Sequence, residues 1–193
     1  HHNELAKEWH RLCAQALTPS TVSDEPLIHS GRDLQAGIKG KGQEVPPAER
    51  GDVVAVSFWS RGTTAIFDIR ITDTDGPTYC KRDPVKVLAA HEKEKKVRYL
   101  EACLARRRQF TPLVFSVDGL RGAEAAAAEK RLASLLSAKW NKSYSDVCGF
   151  VRSRLSIALV RMLSLCLRGA RDPTARASHP VWENGAGIGL YRP

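Results

Sequence analysis

The 193-residue chain has only five cysteines and no Cys-x-x-Cys pair. The thiols of Cys13, Cys80, Cys103, Cys148 and Cys166 are odd in number and widely spaced, which excludes a zinc-finger spacing and argues against a disulfide framework. Reduced thiols in an intracellular, nuclear setting are expected. A long apolar run is also lacking. The most apolar stretch, residues 155–167, is interrupted by Arg161 and bounded by Arg154 and Arg168, well short of the ~20 apolar residues that cross a bilayer. No membrane partner is expected. Residues 1–17 carry charge throughout, without the apolar core of a secretory signal, and no internal repeat points to a solenoid. Acidic residues are in short supply: 21 Asp and Glu face 30 Lys and Arg, leaving +9 and a pI near 9.6. That excess favours polyanions through phosphate neutralisation and counterion release, with nucleic acid the first candidate.

The length suits one domain with a real core, expected over residues 1–171. Residues 3–17 place Leu5, Trp9, Leu12, Cys13 and Ala16 on one helical face. Residues 18–50 are polar and rich in Gly and Pro and read as a long loop. Residues 52–59 (DVVAVSFW) and 63–72 (TTAIFDIRIT) are β-branched and aromatic, with Ser60-Arg61-Gly62 suiting a hairpin turn. Asp83 caps a long helix with Pro84 at its first position, running to about residue 108. Residues 112–117 (PLVFSV) form a short, continuously apolar strand expected to be central in its sheet. Helices follow over 123–140 and, within 143–169, a last one closed by Gly169. Residues 172–193 lack periodicity and read as a disordered tail. The layout is a small α/β layer architecture.

Asp68 is the informative residue, because it sits in the apolar strand IFDIRI. A carboxylate there either alternates outward into solvent or faces inward, where it needs a cation or hydrogen-bond donors. Asp52 opens the preceding strand and can lie beside it. Two such acids suit a hard divalent cation. On the long helix, Glu92, Lys95 and Tyr99 recur at i, i+3 and i+7. They either line the same groove or belong to a solvated charged face, HEKEKKVR. His10, His29 and His91 lack metal-ligand spacing with one another, and neither Ser116 nor Cys103 has a base placed near it by the sequence.

The stretch GDVVAVSFWSRGTTAIFDIRIT, then AHEKEKKVRYLEAC and FTPLVFSVDGLRGAEA, resembles the restriction-like endonuclease domain that follows the reverse transcriptase of LINE-type retrotransposons, within the PD-(D/E)XK nuclease superfamily. The likeness covers residues 2–138 and is carried by Asp52, by Asp68, by Glu94-Lys95 and Tyr99, by Pro112-Leu113-Val114, and by His2-Asn3 at the start. It implies an α/β fold with a restriction-endonuclease-like core, a small mixed sheet flanked by helices, and extra C-terminal helices. It also implies a Mg2+ (or Mn2+)-dependent DNA endonuclease, with a reverse transcriptase or other element-encoded domain as partner. Asp52 and Asp68 are the implied metal ligands, Glu92 or Glu94 a further acid, Lys95 the cation near the scissile phosphate, and Tyr99 a support. His2, Asn3, Lys96, Arg98, Arg152 and Arg154 are the expected nucleic-acid contacts. Gly51 stands where the family has Pro, and Arg98 where it has a second Lys. Two other readings stand beside this one: a nucleic-acid-binding module that has lost catalysis, and a helical interaction domain in which residues 154–167 bind a partner.

Overall fold

The computed structural model describes residues 3–29 and 48–169. His2, most of the expected loop and the expected tail lie outside the described residues. Helix α1 spans Asn3–Ala16 and buries Leu5, Trp9, Leu12 and Cys13, the stripe expected from their spacing. A short turn at Pro19–Thr21 leads to strands β1 (Val22–Asp24) and β2 (Leu27–His29), and β3 (Glu49–Arg50) precedes β4 (Val53–Val56). The described ends of the 18–50 segment therefore correct the loop expectation. Three strands of two or three residues are too short to leave a period in the sequence.

Strand β5 (Thr64–Thr72) is antiparallel to β4, helix α2 (Pro84–Ala105) crosses over, and β6 (Arg108–Ser116) returns parallel to β5. A parallel return requires such a crossover. The main sheet has the order β1-β4-β5-β6, and β2 with β3 forms a separate pair. The Asp83 side chain accepts from the Val85 amide at 2.9 Å and caps α2 as its sequence implies. Strand β6 corrects the expectation of a central strand, since it ends the order of the sheet. Its residues from Phe110 to Ser116 are all buried because helices cover both faces, and an apolar run records that covering, not the number of strand neighbours.

Helices α3 (Ala123–Trp140) and α4 (Tyr144–Gly169) pack with α1 on one face of the sheet, and α2 packs on the other. On the three-helix side Trp9, Phe58 and Phe67 form the aromatic centre, with ring centroids 4.9 to 6.1 Å apart. On the α2 side a smaller cluster joins Ile66, Tyr99, Cys103 and Phe110. Leu88 of α2 is buried, whereas Leu104 is mostly exposed, because it follows the buried Cys103 by about 100° round the helix.

Gly51 is fixed by crowding. A Cβ there would lie 2.6 Å from Ile66 Cγ2 and 3.2 Å from the Phe67 carbonyl oxygen. Its amide donates to Pro26 O at 2.9 Å, a bond that the proline of the resembling family does not make. Gly51→Ala is expected to lower folding stability by about 1–3 kcal/mol, the usual effect of overpacking. Urea unfolding followed by circular dichroism measures this, with an unchanged midpoint as the contrary result.

Candidate active site

Strand alternation divides β5 between the two layers. Ala65, Phe67 and Ile69 join the three-helix core, while Ile66 joins the α2-side cluster. Asp68 and Arg70 share the parity of Ile66 and so face α2. Asp68 is 6% exposed. An inward carboxylate must be neutralised, and the Lys95 ammonium of α2 lies directly against Asp68 Oδ2. Lys93, two residues earlier, is exposed.

Asp52 stands at the open end of β4, where its amide donates to Phe67 O at 2.9 Å. Its carboxylate turns across to β5 and accepts from the Ile69 amide at 2.5 Å. It is thereby tied to the peptide unit that follows Asp68 in β5. Tyr99, one helical turn beyond Lys95, is buried against Phe110, with the Lys95 ammonium 5.7 Å and the Arg98 guanidinium 5.2 Å from its ring centroid. Burial raises the Tyr99 phenol above its ordinary pKa; Arg98 opposes this, and Asp68, Asp52 and Glu94 push further upward. Both aspartates therefore act electrostatically on one phenol.

The two glutamates are set elsewhere. Glu94 is exposed and binds Arg70 at 2.9 Å and His91 at 3.2 Å, and the His91 hydrogen bond, then Arg70, holds its carboxyl below the usual range. Glu92 is buried and accepts the Glu124 amide at 2.9 Å, at the start of α3. It caps that helix, and Gly122 leaves room for it: a Cβ there would lie 2.1 Å from Glu92 Oε1. Burial raises the Glu92 pKa, an effect offset in part by the Glu124 amide.

The expected nucleic-acid contacts are dispersed. Asn3 opens α1, far in sequence from the β5–α2 site. Lys96 pairs with Glu124 and Arg98 with Glu49, where both had been expected to meet solvent or phosphate. Arg154 grips Glu8 of α1 through Nε at 2.7 Å and Nη2 at 3.2 Å, and its pKa is raised by that hydrogen bond. Arg152 lies on α4 at a small cavity of about 160 Å3 shared with Arg121 and Glu129. On the same helix, residues 154–167 bury Leu155, Ala158, Leu159 and Met162 and expose Ile157, Val160, Leu165 and Leu167. Arg70 was missed by the sequence reading although the period of two places it beside Asp68.

The carboxylates of Asp52, bound to the Ile69 amide, and of Asp68 are hard oxygen donors of the kind a magnesium-type ion takes, one or two at a time, with water and phosphate completing its shell. Among the described residues no group of three or more His, Cys, Asp or Glu is gathered as a metal cage, and no helix is long and apolar enough to cross a membrane. No protein-family model matches the chain, and no curated protein sequence matches it.

Lys95→Met is expected to destabilise the fold by roughly 2–3 kcal/mol, somewhat less than the loss of a partner in a fully buried pair because the lysine is partly solvated. Adding Asp68→Asn should recover most of that loss in thermal and urea unfolding. Full additivity of the two changes would contradict the pairing. A pH effect follows from Glu92 and Glu129, the latter also raised by burial despite Arg121 at 2.5 Å. Between the ordinary value of 4.5 and their raised values the folded state binds more protons than the unfolded chain, so stability falls as pH rises through that window. Glu92→Gln and Glu129→Gln should each flatten that slope, as read from urea midpoints across pH.

Proposed function

We propose that this chain is a metal-dependent DNA endonuclease of the restriction-endonuclease-like type. The observation that carries the reading is the inward Asp68, met by Lys95 from the crossover helix and flanked by Asp52 on the adjoining strand. The order of the main sheet and its helices supports it: one helix, three antiparallel strands, a crossover helix and a parallel strand, with β2 and β3 paired apart. So does the likeness of residues 2–138 to the nuclease domain of LINE-type elements, a likeness that would suit target nicking beside a reverse transcriptase in the nucleus.

In this reading Asp52 and Asp68 hold Mg2+ or Mn2+. When bound, such an ion polarises a phosphate and lowers the pKa of its water. The hydrolysis adds water to phosphorus and breaks one P–O ester bond of the strand. Lys95 provides fixed positive charge where negative charge gathers on the phosphate oxygens. Tyr99 packs beside the Lys95 chain and limits its rotamers, so the ammonium is held in place before substrate arrives. The Ile69 amide holds the Asp52 carboxylate in the same way. Glu92 is left out of this chemistry, since its carboxylate is engaged by α3, and Glu94 acts through Arg70.

A second reading, a nucleic-acid-binding module without cleavage, is favoured by one observation: the Lys95 ammonium itself stands where a cation would neutralise Asp68. A plasmid-nicking assay separates the two. With Mg2+ or Mn2+ the wild type should nick, chelator should stop it, and Asp68→Ala should abolish nicking. Without metal, Asp68→Ala should bind DNA as well as the wild type or up to several-fold more tightly, because one negative charge has left a basic surface. Lys95→Ala should weaken both nicking and binding. Binding without nicking under all metal conditions selects the module; full nicking by a folded Asp68→Ala variant removes Asp68 from the site.

A further inference from the structure

We propose that the cleft at the head of α2 seats one unpaired nucleotide of a DNA strand next to the Asp68–Lys95 pair, with Tyr79 against the base and Arg82 and Lys86 against the phosphate. The inference rests on the endonuclease reading for its neighbour, but the cleft stands on its own features. It is open, about 440 Å3, and lined by Tyr79, Arg82, Lys86, Val87, His91 and Glu94 among others, within the range of roughly 300–1,000 Å3 that holds small organic ligands.

Its chemistry is selective. The Tyr79 ring stands edge-on to the His91 ring at 5.5 Å, and the Arg82 guanidinium lies 6.0 Å from the Tyr79 centroid. Aromatic rings interleaved with cations are the pattern that binds unpaired nucleotides, by stacking on the base and pairing with the phosphate. The two acids at the cleft are both engaged: Asp83 accepts from the Val85 amide, and Glu94 is held by Arg70 and His91. With the Glu94 charge offset by Arg70, Arg82 and Lys86 outnumber the one remaining acid, Asp83, at the rim.

His91 provides the independent sign of a missing ligand. Its side chain is 8% exposed, and Nδ1 donates to Glu94. Nε2 is buried and has no hydrogen-bond partner among the described residues. A buried polar atom left so is destabilising until something meets it, and an amino group on a nucleobase offers the N–H that a neutral Nε2 accepts. Position supplies the register. His91 is one helical turn before Lys95, about 6 Å along the axis, and Arg70 links the two stations from β5 through Glu94. A base still paired in a duplex cannot enter the cleft, so the site favours DNA that is unpaired beside the attacked phosphate.

Fluorescence anisotropy with a labelled single strand, and with the same strand annealed, tests this in chelator so that no cleavage intervenes. Tyr79→Ala is expected to weaken binding of the single strand roughly tenfold, the scale of one lost base stack, and to change duplex binding less than twofold. Lys86→Gln, a change at an exposed side chain of the rim, should weaken the single strand and reduce its salt dependence. It serves where Tyr79→Ala does not fold. Equal losses on both probes, or no loss on the single strand from a folded variant, overturn the proposal. Mg2+-dependent nicking is measured in parallel. Nicking without a Tyr79 effect removes the cleft alone, and a Tyr79 effect without nicking keeps the cleft and removes the cleavage reading.

Discussion

A carboxylate in the middle of a strand covered on both faces has to be met by positive charge, and the rotation of α2 follows from that requirement. With Lys95 turned to Asp68, Tyr99 is carried one turn along onto Phe110 and Cys103 joins the same seam. Glu94 is carried to Arg70, and Glu92 to the start of α3. The apolar contacts alone specify this helix weakly, since its buried residues include both His91 and Glu92. Ion pairs at Asp68 and Arg70, two residues apart on one strand face, fix the helix against both sliding and rolling.

Much of this was legible in the sequence because it was periodic. The amphipathic α1, the β4–β5 pair and the Asp83-Pro84 start of α2 follow from spacing and local chemistry, while for Lys95 spacing left a groove and a solvated face both open. The failures share a cause, which is that spacing on one element does not say what its neighbour presents. Glu92 was grouped with Lys95 and Tyr99 by its i, i+3, i+7 spacing, yet this face is broad enough to span two neighbours, and Glu92 meets α3 at its edge. Gly122 was the available signal, since a residue with no side chain at a helix entry marks a close approach. Arg70 shares the face of Asp68 by the alternation of the strand, but its role depends on Glu94 of a separate element, which the strand's own pattern does not name. The edge position of β6 could not be read at all, because two covering helices erase the pattern that distinguishes edge from centre.

The basic residues show a similar division. Arg154, Lys96 and Arg98 are expected phosphate contacts, but each is committed to a carboxylate, Glu8, Glu124 and Glu49 respectively, as Arg121 is to Glu129. The Arg154–Glu8 pair joins the first and last described helices as a brace, and because each such pair sums to zero the net charge of +9 is carried by other residues. Lys81, Arg82, Lys86 and Lys93 lie exposed on and before α2, which concentrates positive potential on the same side of the sheet as Asp68.

The parallel pairing of β5 with β6 also bears on how the chain reaches its fold. Thr64 pairs with Arg108 and Thr72 with Ser116, so every rung of the longest ladder joins residues separated by the whole of α2. The entropy of closing that loop is lost before any rung forms, and contacts of such high sequence separation slow folding. Helix α2 is capped by Asp83 and can gather locally, whereas β4 and β5 can zip as a hairpin. The late event is then the docking of β6 beside β5. Until it occurs Asp68 is solvated and Lys95 has no fixed partner, so the polar centre of the molecule is completed at the end of folding rather than serving as its nucleus.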